Sequence, residues 1–355
     1  MTLPRARLAA LLSATALLVC APRLHAQWIP QSSSTQASFR GMSVVTPATL
    51  WISGTQATFA WTDDGGRQWH SGRVAAAGSF DFRSVHAFSL DSALLMVSAQ
   101  DTALIYRTTD RGRTWSIQYR DESKGAFLDA MAFFDSRNGL AVGDPVNGHF
   151  VVLSTSDGGE HWARLAGSDI PPSLAGEGAF AASGTAMITC GSSDVWFATG
   201  GARVSRVFHS ADAGRTWSVA ETPVRAGSAP AGIFSLACRD AKHLVAVGGN
   251  YSRPDASAVT VALSDDGGAS WTASPPDPST AFLSGVAYLD RAEGQRLVGV
   301  GTEGTALSVD GGRHWSRLDS LSLNVVMSAE NGAAWAAGTR GSVVALAGLT
   351  AQKRQ

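Results

Sequence analysis

Apolar positions along the chain fall in short runs that end in a small residue and glycine. They read Leu50-Trp51-Ile52-Ser53-Gly54, Leu140-Ala141-Val142-Gly143, Val195-Trp196-Phe197-Ala198-Thr199-Gly200, Leu244-Val245-Ala246-Val247-Gly248, Leu297-Val298-Gly299-Val300-Gly301 and Ala334-Trp335-Ala336-Ala337-Gly338. Another set lies upstream of these, as in Met42-Ser43-Val44-Val45, Val85-His86-Ala87-Phe88 and Ala130-Met131-Ala132-Phe133. Runs of this length, bounded by turn residues, predict β-strands. A polar signature, Ser/Thr-x-Asp-x-Gly-x-x-Trp, occurs six times: Thr62-Asp64-Gly66-Trp69, Thr108-Asp110-Gly112-Trp115, Thr155-Asp157-Gly159-Trp162, Ser210-Asp212-Gly214-Trp217, Ser264-Asp266-Gly268-Trp271 and Ser308-Asp310-Gly312-Trp315. Its tryptophans are spaced by 46, 47, 55, 54 and 44 residues. Periods of that size indicate a propeller or a solenoid.

The signature has a mechanical reading. Short hydroxyl and carboxylate side chains bond to nearby backbone N–H groups and hold a tight turn. The glycine supplies a positive φ, and the tryptophan opens the returning strand and buries its indole between sheets. Each unit therefore holds four strands of four to seven residues, which is one propeller blade. Residues Asn324 to Leu346 carry three strands with no signature after them, whereas Gln27-Trp28-Ile29-Pro30 looks like the strand that follows one. We expect this N-terminal strand to join the C-terminal blade, giving an all-β, seven-bladed propeller of four-stranded antiparallel blades over residues 27–348, with 349–355 a disordered tail. Closure of that kind leaves no long free sheet edge. Of the 11 tryptophans, Trp28 fills the missing signature position. Trp51, Trp196 and Trp335 occupy matching second-strand core positions, and Trp61 is expected to pack under a turn.

Residues 1–26 stand apart. Arg5 and Arg7 precede an apolar run from Leu8 to Ala21, and Leu24-His25-Ala26 closes it, the pattern of a cleaved signal peptide. The run is short for a membrane anchor. Cys20 invites a lipoprotein reading, but Val19 is a poor residue ahead of a lipidated cysteine, which favours cleavage near Ala26 and a periplasmic or secreted product. Removal takes three arginines and no acid, leaving 25 basic and 29 acidic residues, a net charge of −4. Nucleic-acid binding needs a clustered basic excess, so no such partner is expected. No second long apolar segment appears, and a soluble monomer is expected. Cys190 and Cys238 are expected as two buried free thiols, a single disulfide being the alternative in an oxidising compartment.

The repeated signature matches the Asp-box (bacterial neuraminidase) repeat. With six boxes and a shared blade, the chain from residue 27 onward resembles the photosystem II assembly and stability factor family and its non-photosynthetic bacterial relatives. More distantly it resembles sialidases and other Asp-box glycosidases. The first resemblance implies an exported, non-catalytic scaffold that binds a protein or a small anionic partner. The second implies a glycoside hydrolase.

Blade geometry suggests where a site would lie. If the boxes join third and fourth strands on one face, the entries to first strands and the loops after second strands share the opposite face, around the channel mouth. Entry residues include Arg40, Asp81, Arg83, Asp129 and Glu177, with Phe234, Ser284 and Asn324 in later blades; the loops supply Asp144-Pro145, Arg203 and Asn250-Tyr251-Ser252-Arg253. Bare charges at the start of innermost strands are expensive unless paired or functional. The binding candidates are Arg40, Arg83, Asp129, Glu177, Arg203 and Tyr251. Arg40 and Arg83 suit a forked contact with a carboxylate, and Asp129 and Glu177 are either their ion-pair partners or, in the glycosidase alternative, a catalytic carboxylate pair. Phe39-Arg40-Gly41 lacks the hydrophobic residue and proline that follow the first sialidase arginine, and neither Tyr251 nor Tyr288 has an assignable glutamate partner. Gly299-Val300-Gly301-Thr302-Glu303-Gly304 has dinucleotide-fingerprint spacing but leads into a strand instead of a helix. No histidine pair or triplet suits zinc, no full oxygen set suits calcium, and no cofactor is expected.

Overall fold

The computed structural model describes residues 26–165 and 170–348; the expected leader and tail lie outside the described residues, apart from Ala26. Seven four-stranded antiparallel sheets make up the fold. Blades 1 to 6 each run in sequence order from the innermost strand outward, with innermost strands Phe39–Val44, Phe82–Ala87, Ala130–Phe133, Met187–Cys190, Ala231–Cys238 and Gly285–Tyr288. Blade 7 takes three strands from the C-terminal end and its outer strand from Gln27–Ser32, which pairs antiparallel with Ser342–Ala347. Each innermost strand packs on the next, and Leu323–Ser328 of blade 7 packs on Phe39–Val44 of blade 1, so the sheets form a ring. Among the described residues no helix is long and apolar enough to cross a membrane.

The six signatures form one repeated turn. In each, the Ser/Thr hydroxyl donates to the Asp carboxylate (2.8–3.0 Å) and accepts the glycine N–H (2.8–2.9 Å). The carboxylate accepts the N–H four residues on, at 2.8–3.0 Å. The glycine φ lies between 80° and 91°, a region closed to most side-chain-bearing residues. Trp115, Trp217, Trp271 and Trp315 each donate an indole N–H to the carbonyl of their own turn glycine. Trp69 uses Gln31 instead, and the buried Trp162 indole N–H has no partner.

A further set of indoles ties three of the six turns to the preceding blade. Trp196 donates to Gly267 O and Trp335 to Gly65 O, the carbonyl three residues past the turn hydroxyl of the next blade. The equivalent carbonyl of the blade-2 turn, Arg111 O, is taken by Trp61 from the third strand of blade 1. Trp51 is thereby left buried with an unsatisfied N–H.

Backbone bonds within a blade cannot reach its neighbour, so short polar side chains bridge the joints beside the channel. Going round the ring, Ser43 accepts Ala87 N–H, Ser98 donates to Leu128 O, Thr189 to Phe133 O, and Thr185 shares a hydrogen bond with Ser235. Ser235 accepts Val286 N–H, Ser284 donates to Asn324 O, and the Asn324 amide donates to Phe39 O. Every joint carries a bridge. The joint between blades 4 and 5 carries a covalent one as well, because Cys190 and Cys238 are paired in a disulfide, correcting the expectation of free thiols. Both cysteines end innermost strands of adjacent blades, 48 residues apart, which brings their Cα atoms to 6.4 Å, within disulfide reach.

Candidate functional site at the channel mouth

Innermost strands meet their second strands in regular register except at their entry, where the pairing skips one residue. The skipped residue is Arg40 in blade 1, Arg83 in blade 2, Phe234 in blade 5 and Asn324 in blade 7. Such a β-bulge leaves a residue unpaired and re-aims its side chain. Four of the seven entry positions are therefore built to direct a side chain out of the ladder at the mouth.

Burial first, and then the Arg83 guanidinium, hold the Arg40 pKa below its usual value, with Asp81 partly offsetting them. Arg83 donates to Ala181 O at 3.3 Å and stands 3.6 Å from Asp81, while its buried Nε is unpartnered. Arg40 makes no ion pair among the described residues. Neither Asp129 nor Glu177 pairs with either arginine.

Asp129 enters blade 3. It is 1% exposed and both its carboxyl oxygens are unpartnered. Burial, reinforced by the charge of Asp144, pushes its pKa well above the ordinary carboxylate range. Asp144 is raised as well, by its own burial, and is eased by the Ala179 N–H at 3.3 Å.

Glu177 is not at an entry. It lies ten residues before Met187–Cys190, because an extra segment is inserted ahead of blade 4. There the Glu177 carboxylate grips Arg206, with Nε on Oε1 at 2.8 Å and Nη2 on Oε2. It also accepts the Thr199 hydroxyl at 2.6 Å and Leu174 N–H at 2.8 Å. All of this is buried, and the guanidinium lies over the Phe208 ring. Arg203 pairs with Glu221 on the exposed outer part of blade 4. Tyr251 is 54% exposed and stands edge-on to Phe234.

The inserted segment, 177–185, crosses the mouth. Ala181 O meets Arg83, Gly184 lies against Ser84 of blade 2, and Thr185 meets Ser235 of blade 5. Phe180 stacks on Phe234 at 4.0 Å between ring centres, and Phe234 packs edge-on against Phe282. A Cβ on Gly200 or Gly232 would fall 2.6–2.7 Å from the Phe180 ring, so these two glycines make its seat. The segment, Arg206, and the bulges were not anticipated from sequence. The trace they left is the 55-residue spacing between Trp162 and Trp217, about a segment longer than the 44–47 of ordinary blades.

Fold and site together define a seven-bladed β-propeller whose channel mouth carries two neighbouring arginines and the exposed Tyr251. No family model and no curated protein matches the chain. Among solved structures, it is similar to "YCF48 bound to D1 peptide" at 16% identity and TM-score 0.62, covering 90% of this chain and 96% of that one. The structure of YCF48 from Cyanidioschyzon merolae is similar at 15% identity and TM-score 0.64, covering 90% and 98%. A streptogramin B lyase is similar at 9% identity and TM-score 0.64, covering 92% and 99%. At these identities the likeness is one of fold.

Proposed function

We propose that the protein is an exported, non-catalytic Asp-box propeller that captures a carboxylate-bearing segment of a partner protein at its channel mouth. The observation that carries this reading is Arg40, a half-buried guanidinium with no ion pair among the described residues, beside Arg83. A forked carboxylate contact would satisfy donors that are otherwise idle and relieve the repulsion between the two cations. Tyr251, exposed and propped edge-on by the buried Phe234, supplies an aromatic side chain at the same mouth, the residue class that anchors protein interfaces. The peptide-bound state of YCF48, a propeller of similar fold, supports a protein partner. The Cys190–Cys238 disulfide supports export, since such bonds persist in oxidising compartments.

The glycoside hydrolase alternative asks for two accessible carboxyl groups flanking a sugar bond; Glu177 is spent on Arg206, and Asp129 is sealed from solvent. The test is capture from envelope extract by the immobilised protein and by an Arg40→Ala/Arg83→Ala variant. The variant should lose the captured partner while its thermal midpoint stays within a few degrees of the parent. Equal capture by both sinks the reading, as does sugar release from any member of an oligosaccharide panel.

A further inference from the structure

Below the crossing segment the channel is a cavity of about 330 Å³ between the later halves of all seven innermost strands. Gly184 and Thr185 close it toward the mouth, and it opens on the opposite face, where the repeated turns lie. None of the entry residues Arg40, Arg83 or Asp129 reaches it. Its wall is polar for a topological reason. The inner edge of an innermost strand has no partner strand, so free N–H and C=O groups face the channel. Hydroxyls of neighbouring blades take some of them, as Ser43 takes Ala87 N–H and Ser235 takes Val286 N–H. The Ser84 hydroxyl and the His86 imidazole, also on the wall, make no hydrogen bond among the described residues. Burial lowers the His86 pKa to about 4, so at physiological pH the ring is neutral and offers one donor and one acceptor.

No Asp or Glu is among the described side chains that line the cavity, and Arg291 is the one that carries charge at neutral pH. It stands where blade 6 departs from the repeat. In five blades the hairpin from first to second strand closes with an N–H bonded to the carbonyl four residues on, as Phe88 to Ser92; in blade 6 Leu289 bonds to Arg296, seven residues on. Asp290 holds the longer tip, its carboxylate accepting Gln295 N–H and Arg296 N–H at 3.0 Å and Arg296 Nε at 2.8 Å. Arg296 thereby answers the charge of Asp290. Arg291 makes no ion pair or hydrogen bond among the described residues and is left as an exposed guanidinium at the open end of the channel.

A free cation above a hydrogen-bonding channel that lacks carboxylates suits an anion with a polar body. The volume lies at the lower end of ordinary small-molecule pockets, so an inorganic ion would leave most of it unfilled. Hydroxyl groups, which both donate and accept, match strand edges and a neutral imidazole. We infer that the open end of the channel is a binding site for a small hydroxylated carboxylate, its acid group forked by Arg291 and its body inside the channel against Ser84, His86 and the strand edges. The inference is independent of partner capture at the mouth, because the crossing segment separates the two places.

The experiment is calorimetric titration of the whole protein with D-gluconate and D-glucuronate, each beside its uncharged counterpart, D-sorbitol or D-glucose, and with acetate as a carboxylate without a body. At least one sugar acid should bind saturably at one site, with its uncharged counterpart and acetate weaker by about tenfold or more. Arg291→Ala should weaken that acid by about tenfold or more with an unchanged thermal midpoint. His86→Phe keeps a ring on Phe133 and should also weaken it; should that variant fold poorly, the exposed Arg291 serves alone. Absence of saturable binding by both acids, equal affinity for the uncharged counterpart, or undiminished binding by either folded variant would each overturn the inference. Loss of binding in the Arg40→Ala/Arg83→Ala variant would place the acid at the mouth and overturn it too.

Discussion

The two faces of the disc are built on opposite plans. On the turn face the same three hydrogen bonds recur six times, and indoles from one blade lock onto the turn of the next. On the mouth face the blades diverge: the entries offer Arg40, Arg83, Asp129, Phe234, Ser284 and Asn324, and one blade adds a segment that spans the opening. Repetition marks the part of each blade whose task is to fold, because every blade must solve the same packing problem. Departure from the repeat marks what a single blade does for the molecule. Among the described residues the one buried carboxyl with both oxygens unpartnered, Asp129, lies on the second face.

That division can be strained at one point. Glu177 and Arg206 belong to the mouth but are buried and fully bonded like a core element. Glu177→Ala would leave Arg206 buried without a counter-charge and should cost about 3–5 kcal/mol by urea unfolding, the largest effect expected of a mouth substitution. A cost below about 1 kcal/mol would mean that the crossing segment is not held by this pair. On the turn face, Ser210→Ala strands the Gly214 N–H and removes a donor to Asp212. A cost of about 1–3 kcal/mol is expected in the same assay.

The subtlest contrast is in pH. Hydrogen bonds from the turn lower the carboxyl pKa of Asp110, Asp212 and Asp266 to about 2. Their stabilisation is therefore present above the unfolded value of 3.8 and fades as pH falls towards 2. Asp129 has the opposite sign. Its folded pKa is raised, so the folded state holds a proton that the unfolded state releases, and stability is lost as pH climbs above 3.8. Asp129→Asn removes that loss. Its urea midpoint, relative to the parent, should rise as pH climbs above 4, and an equal difference at pH 4 and at neutral pH would show that Asp129 does not carry the effect.

Blade number and turn positions were legible in the sequence because a tryptophan seven residues after a hydroxyl, repeated six times, is an unambiguous ruler. The joining of Gln27–Ser32 to the C-terminal strands followed from the same ruler, through the missing seventh turn. The mouth was only half legible. Arg40, Arg83 and Asp129 could be placed at entries by counting back from the turns, but a bulge of one residue leaves no mark in a run as short as Phe39–Val44. Glu177 was assigned to an entry because nothing in the residues around it shows that the chain first crosses the channel. Arg206, lying between Ser205 and Val207 on a third strand, reads as solvent-facing until its partner is known. The disulfide stood only as the alternative to free thiols because a separation of 48 is informative only once both cysteines are known to end innermost strands.

The pairing of Gln27 with Ala347 puts the two ends of the described propeller within about 5 Å of each other across one ladder. A chain emerging from its N-terminus must therefore keep Gln27–Ser32 waiting until Ser342–Ala347 has been made. Linking these neighbours and reopening the backbone at any exposed hairpin tip would preserve every strand partner while changing which blade is assembled from two distant pieces. Where the seam falls is thus a matter of chain order, separable from the shape it closes.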